Sequence, residues 1–210
     1  VNLALLRYQW QSIVFKNIEP VLLHNREIII GDHIKISKEA KKMPGVKKLY
    51  QDSENLGKPE YIFGHQHGVI GVLAQGKTLQ CIPLDIGIHD GVNKIEEFEH
   101  ELKNTNNGND SNDLAGYNCI EKIMKMVKRF VIDSKKQIIL LLDAYFANAT
   151  AFDYVYDANK ETEKEQIILI ARAKSNAVGY KLPEKSDKKR VGRPKKYGDS
   201  IKFKDMFKNN

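Results

Sequence analysis

Asp32 and Asp143 each follow closely on an aliphatic run, in REIIIGD (26–32) and QIILLLD (137–143). Short runs of this kind, rich in Ile and Leu, read as buried strands. Each carboxylate would therefore stand at the end of a strand, at the rim of a sheet, rigidly held yet reachable by solvent. If the two strands are parallel neighbours, both carboxylates converge on one point. Two converging anions repel unless a cation lies between them, and hard oxygen ligands call for Mg²⁺ or Mn²⁺. A pair of such ions can activate a water and stabilise the leaving oxygen of a phosphodiester. The plainer reading is a helix N-cap or a turn residue, and spacing alone leaves both open.

The cations give the second signal. Lys35, Lys38, Lys41, Lys42, Lys47 and Lys48 follow Asp32 closely, as a phosphodiester enzyme would need in order to neutralise phosphates beside its metal. The alternative is a solvated loop. KKRVGRPKK (188–196) holds six basic residues in nine. Its Gly-Arg-Pro hints at an AT-hook, but Val191 stands where the hook has Arg. Phosphate contact by Arg190, Arg193, Lys195 and Lys196 is the better reading. Arg172 and Lys174 leave the strand after Asp143 near the same rim and are candidate phosphate ligands. His65 and His67, at i and i+2, share one strand face. They suit either a metal pair or, more commonly, hairpin histidines.

Other chemistry is not signalled. Cys81 and Cys119 lie far apart in apolar settings, which predicts buried, reduced thiols. The CxxC pairs that zinc sites use are absent. There is neither a GxxxxGK[ST] loop nor a GxSxG elbow, so no nucleotide cofactor and no serine nucleophile are expected.

The elements that must position these residues read as follows. Residues 1–17 form a helix that Pro20 ends, and 26–32 a strand. Residues 33–60 are a polar, lysine-rich loop punctuated by Pro44, Gly45, Gly57 and Pro59. YIFGHQHGVIGVLA (61–74) and KTLQCIPLDIGI (77–88) form a hairpin about Gln75-Gly76. KNTNNGNDSND (103–113) is a surface loop by composition. From Leu114 to Val131 the pattern is helical, with Ile120, Ile123, Met124, Val127 and Val131 on one face. A strand ends at Asp143, a helix starts near Asn148, and 166–180 is a further buried strand. A basic loop then leads to a last strand-like piece. The order predicts an α/β domain with a mixed five-stranded sheet flanked by helices. The domain divisions are a helical lead-in at 1–24, a core at 25–182, and a basic loop from 183 to 210.

A chain of 210 residues that is 41% hydrophobic can bury a core, which argues against wholesale disorder. The net charge of +7 suits a polyanion partner but does not require one. No window of 18 apolar residues occurs, so no membrane span is expected. No secretory signal opens the chain either, and a cytoplasmic protein is expected. Val1 and the closing FKDMFKNN read as cuts in a longer chain.

GDHIKISKEAKKMPGVKKLYQDSENLGKPEYIFGH (31–65) resembles the first catalytic segment of bacterial DDE-type insertion-sequence transposases. LLLDAYFAN (140–148) is similar to their second, and ARAKSNAVGY (171–180) and GRPKKYGDSIKFKDMF (192–207) to segments that follow it. The resemblance spans roughly residues 25 to 207 and departs from the usual pattern at His33 and at HQHG (65–68). It implies a ribonuclease-H-like core, incomplete at its C-terminus, with residues 183–210 opening an inserted β-rich region. It also implies an Asp-Asp-Glu triad with two Mg²⁺ or Mn²⁺ ions, double-stranded DNA as substrate and target, and work as a multimer. Asp32 would bridge both ions and Asp143 would bind one. The third member, a Glu on a later helix, has no counterpart here, because Glu161, Glu163 and Glu165 come too early. The family's preceding DNA-binding domain is likewise not in the chain. Two rivals stand beside this reading: a metal-dependent nuclease of the same fold without strand transfer, and a non-catalytic DNA-binding remnant.

Overall fold

The computed structural model describes residues 2–39, 42–50, 57, 59–89, 118–161, 164–174, 176–183 and 196–206. The Asn-rich tract and most of the 183–196 basic segment lie outside them. The described chain is mixed α/β, built on one eight-stranded mixed sheet.

Five longer strands make its body: β3 (Arg26–Ser37), β5 (Tyr61–Gln75), β6 (Gln80–Ile88), β7 (Ile138–Leu142) and β8 (Ile167–Ala171). β5 pairs antiparallel with β3 on one edge and β6 on the other, while β3, β7 and β8 are mutually parallel. The three strands beyond the five expected are short: β1 (Glu19–Pro20), β2 (Leu22–Leu23) and β4 (Lys47–Tyr50). β1 and β4 pair with β5, and β2 pairs with β3. They escape sequence reading because a two- to four-residue ladder has no period of its own and forms only on a strand already in place.

Among the described residues, three helices cover the sheet or its edge. In α1 (Leu3–Asn17), Trp10 Nε1 donates to the Pro83 carbonyl of β6 at 2.7 Å and Phe15 stacks on Phe130 at 6.0 Å. Pro83 is tolerated because β6 is an edge strand with a register shift beside it, at Ile70/Gly71 of β5. α2 (Cys119–Ser134) begins in a capping box between Asn118 and Glu121 and ends at Lys135 in the left-handed region (φ 56°). Ile123, Met124, Val127, Phe130 and Val131 line its buried face, as the helical spacing predicts. α3 (Ala149–Glu161) packs on α2 and β8. The core joins these helices to Ile29, Ile70, Val72, Leu84, Ile138, Leu140 and Ile167.

Three local expectations are corrected. The 33–60 segment is not a loop throughout, since β3 runs on to Ser37 and β4 follows. The antiparallel partner β5 is long enough to hold a polar stretch extended. The 166–180 strand is two: β8 stops at Ala171, and β9 (Val178–Tyr180) pairs instead with β10 (Ser200–Lys202) in a separate two-stranded sheet. A turn of helix, α4 (Phe203–Met206), follows β10. Cys81 is exposed on edge strand β6 and Cys119 is only half-buried, so neither is the buried thiol expected. Among the described residues no helix is long and apolar enough to cross a membrane.

Candidate metal and nucleic-acid site

The parallel register decides the geometry. Gly31 of β3 faces Leu142 of β7 as the last pair of their ladder, so Asp32 and Asp143 are the next residue on each of two adjacent strands. Neighbouring strands lie about 4.8 Å apart. Gly31 is buried, and a Cβ there would come within 2.8 Å of Leu142 Cδ2. Alternation then turns Asp32 away from the core. Contrary to the expectation, Asp32 does not end its strand; only the parallel ladder stops there, while pairing with β5 continues to Ser37.

Both carboxylates line one open cleft of about 550 Å³, together with His33, Lys35, Lys48, Tyr50, Gln66 and Tyr145. Each is oriented by one local bond. Asp32 Oδ1 accepts from the His33 N–H at 2.7 Å and Asp143 Oδ1 from the Tyr145 N–H at 2.9 Å. The latter is the turn contact that the plainer reading foresaw. Asp143 does not cap α3, however; Asn148 does, accepting from the Ala151 N–H at 3.0 Å. Among the described residues neither carboxylate enters an ion pair. Two unneutralised carboxylates at one sheet edge, each with an oxygen to spare, form a donor set suited to a hard divalent cation.

The cations divide. Lys35 Nζ donates to the Tyr50 carbonyl at 2.6 Å, and Lys48 Nζ lies 4.3 Å from the centre of the Tyr61 ring. Tyr61 in turn meets Tyr50 edge-on at 5.4 Å. Lys38 and Lys42 belong to the β3–β4 connection and Lys47 opens β4, but none of the three lines the cleft. Arg172 sits at the right end of the sheet, where its N–H donates to the Leu142 carbonyl at 3.1 Å, with Lys174 two residues on. Lys196 stacks near Tyr197, at the start of β10's approach. Lys41, Arg190, Arg193 and Lys195 lie outside the described residues.

Of the early glutamates, Glu163 lies outside the described residues, and Glu161 and Glu165 are at the wrong end. Glu165 pairs with Arg26, the first residue of β3, and Glu161 with Lys128. β8 begins opposite Ile138, the first residue of β7, so Glu165 lies a strand's length from Asp143.

Sequence reasoning missed a second cluster behind the cleft. One ligand atom from each of His33, His89 and Cys119 lies within 4.8 Å of the others. His33 Nε2 stands 3.0 Å from His89 Nδ1, and Gln66 Nε2 is 3.9 Å from Cys119 Sγ. The His65 ring meets the Pro44 carbonyl at 2.9 Å and the His67 ring at 5.9 Å between centroids, and neither histidine belongs to this cluster. Burial, with the cations of Lys122 and the neighbouring histidines, holds His89 down at about 3, so its ring is neutral. Burial also lowers His67, helped by His65 and Lys38.

The His89 ring fits only because residue 68 has no side chain. A Cβ on Gly68 would lie 1.7 Å from His89 Cε1 and 2.2 Å from Nε2. Gly68→Ala is expected to destabilise the fold by about 1–3 kcal/mol, the usual cost of overpacking. The measurement is the urea midpoint at unchanged slope, and an unmoved midpoint would mean that His89 does not rest on Gly68.

In comparisons with known proteins, no family model, no curated protein and no solved structure matches this chain.

Proposed function

We propose that the chain is the catalytic core of a DDE-type DNA transposase, a metal-dependent enzyme that cuts and joins DNA strands. The observation that carries the reading is the placement of Asp32 and Asp143 one step beyond the last pair of a parallel ladder, opening on a cleft with Lys35 and Lys48. The strand order β6-β5-β3-β7-β8, antiparallel across its first three members and parallel across its last three, supports a ribonuclease-H-like sheet. So does the position of the site at the carboxyl end of the parallel strands.

Asp32 and Asp143 would hold the Mg²⁺ or Mn²⁺ ions, and a bound pair supplies an activated water or 3′-hydroxyl and a stabilised leaving oxygen. The chain's own contribution is placement. The two local N–H bonds fix the carboxylates before metal arrives, and Lys35 and Lys48 offset phosphate charge along the cleft. Arg172 and Lys174 extend the cationic surface one strand further. A glutamate to complete the triad has no counterpart among the described residues.

Incubating the chain with supercoiled plasmid and Mg²⁺ or Mn²⁺ tests the reading: nicking is expected, and EDTA should stop it. Nicked products without joined ones would favour a nuclease lacking strand transfer. Duplex binding with no nicking in either metal would leave the DNA-binding remnant. Binding makes its own prediction. The Lys35→Ala/Lys48→Ala pair should lower the slope of log K against log salt by about 0.9 per lost phosphate contact. An unchanged slope would take DNA out of this cleft.

A further inference from the structure

We propose that His33, His89 and Cys119 form a binding site for a borderline-soft divalent metal, zinc in particular, separate from the two-aspartate site. The three residues come from three elements: His33 from β3, His89 from the end of β6, and Cys119 from the first turn of α2. An imidazole–imidazole–thiolate set is the donor chemistry that zinc prefers and that Mg²⁺ avoids.

The geometry is close to what zinc needs. Tetrahedral coordination with Zn–N near 2.0–2.1 Å puts two ligating nitrogens roughly 3.3 Å apart, and here His33 Nε2 and His89 Nδ1 are 3.0 Å apart. Zn–S near 2.3 Å puts sulfur roughly 3.6 Å from each nitrogen, against a limit of 4.8 Å across the present cluster. Side-chain shifts of about an ångström would close the set.

His89 is 3% exposed, and with Nδ1 facing His33 its other nitrogen, Nε2, is buried without a hydrogen-bond partner among the described residues. Gly68 keeps open the space in which the ring lies. The start of α2 favours a negative sulfur at position 119. Against the site stands Lys122, whose Nζ donates to the His89 carbonyl at 2.7 Å. A thiolate ligand offsets that charge. With three protein ligands, the coordination sphere keeps one position open. His33, one of the three ligands, also lines the cleft.

Cobalt and zinc binding test the proposal in a Cys81→Ser background, which removes the exposed thiol. Adding Co²⁺ should give a sulfur-to-cobalt charge-transfer band in the near ultraviolet, and competition with a chromophoric chelator should show one Zn²⁺ per chain. Cys119→Ser, nearly isosteric, should abolish the band and weaken Zn²⁺ at least tenfold, roughly the lower bound for lost outer-shell partners. His89→Ala should weaken Zn²⁺ by as much, with circular dichroism reporting whether it is folded. Asp32→Asn should leave the band in place, which separates this site from the two-aspartate one. Absence of the band in the Cys81→Ser protein, or its survival in Cys119→Ser, would overturn the assignment.

Discussion

Asp32→Asn is expected to lower Mg²⁺- or Mn²⁺-dependent nicking by about 10³-fold or more, the scale seen when one member of a catalytic unit is removed. The amide keeps the side chain's shape and can still accept the His33 N–H bond at Oδ1. What it removes is the negative charge that a hard cation requires. Duplex affinity should stay equal or rise slightly, because one phosphate-repelling charge has gone. Asp143→Asn should behave the same way, and the double variant should be little worse than either single one, since both carboxylates serve one site. The assay pairs plasmid nicking with a gel-shift titration of the same protein. Nicking that survives Asp32→Asn would remove the two-aspartate site from the chemistry, whatever the cleft still binds.

Phe130→Ala should destabilise the fold by about 3–5 kcal/mol, the range for deleting a buried aromatic ring. Phe130 is 1% exposed and its ring stacks on Phe15 with planes 19° apart, so it joins α1 to α2 over the sheet. Truncation leaves a cavity whose lining belongs to two helices and cannot collapse from one side. Ile132→Ala, on the same helix but 53% exposed, should change stability by no more than about 0.5 kcal/mol. Urea titrations of both compare burial at nearly constant helix propensity. Equal midpoints would mean that α1 is not docked on α2, and with it the Trp10 contact to β6 would fall.

Much of this protein was legible from local sequence. The Ile- and Leu-rich runs before Asp32 and Asp143 read as strands, and the spacing of Ile123, Met124, Val127 and Val131 as one helix face. Burial of a periodic side-chain set is written into the chain itself. Mixed α/β architecture followed from the order of those pieces. The number of strands did not follow. β1, β2 and β4 exist only because β3 and β5 offer them an edge, and such pairing energy is non-local.

The two sites divide along the same line. Each aspartate could be named as a candidate from its own neighbours, but a carboxylate after a strand is equally a turn residue, and Asp143 does hold a turn. Only the parallel register of β3 with β7 made the two adjacent. The His33–His89–Cys119 cluster shows the limit more sharply. No spacing motif links three residues from three separate elements, and Cys119 read alone looked like one more buried thiol. What the sequence determined by itself was which short segments bury a face and which residue types they carry, because those depend on a few neighbouring side chains. Which carboxylates, imidazoles and thiols share one volume was decided by strand register and helix docking, because contact across the sheet is made by backbone pairing that no local pattern encodes.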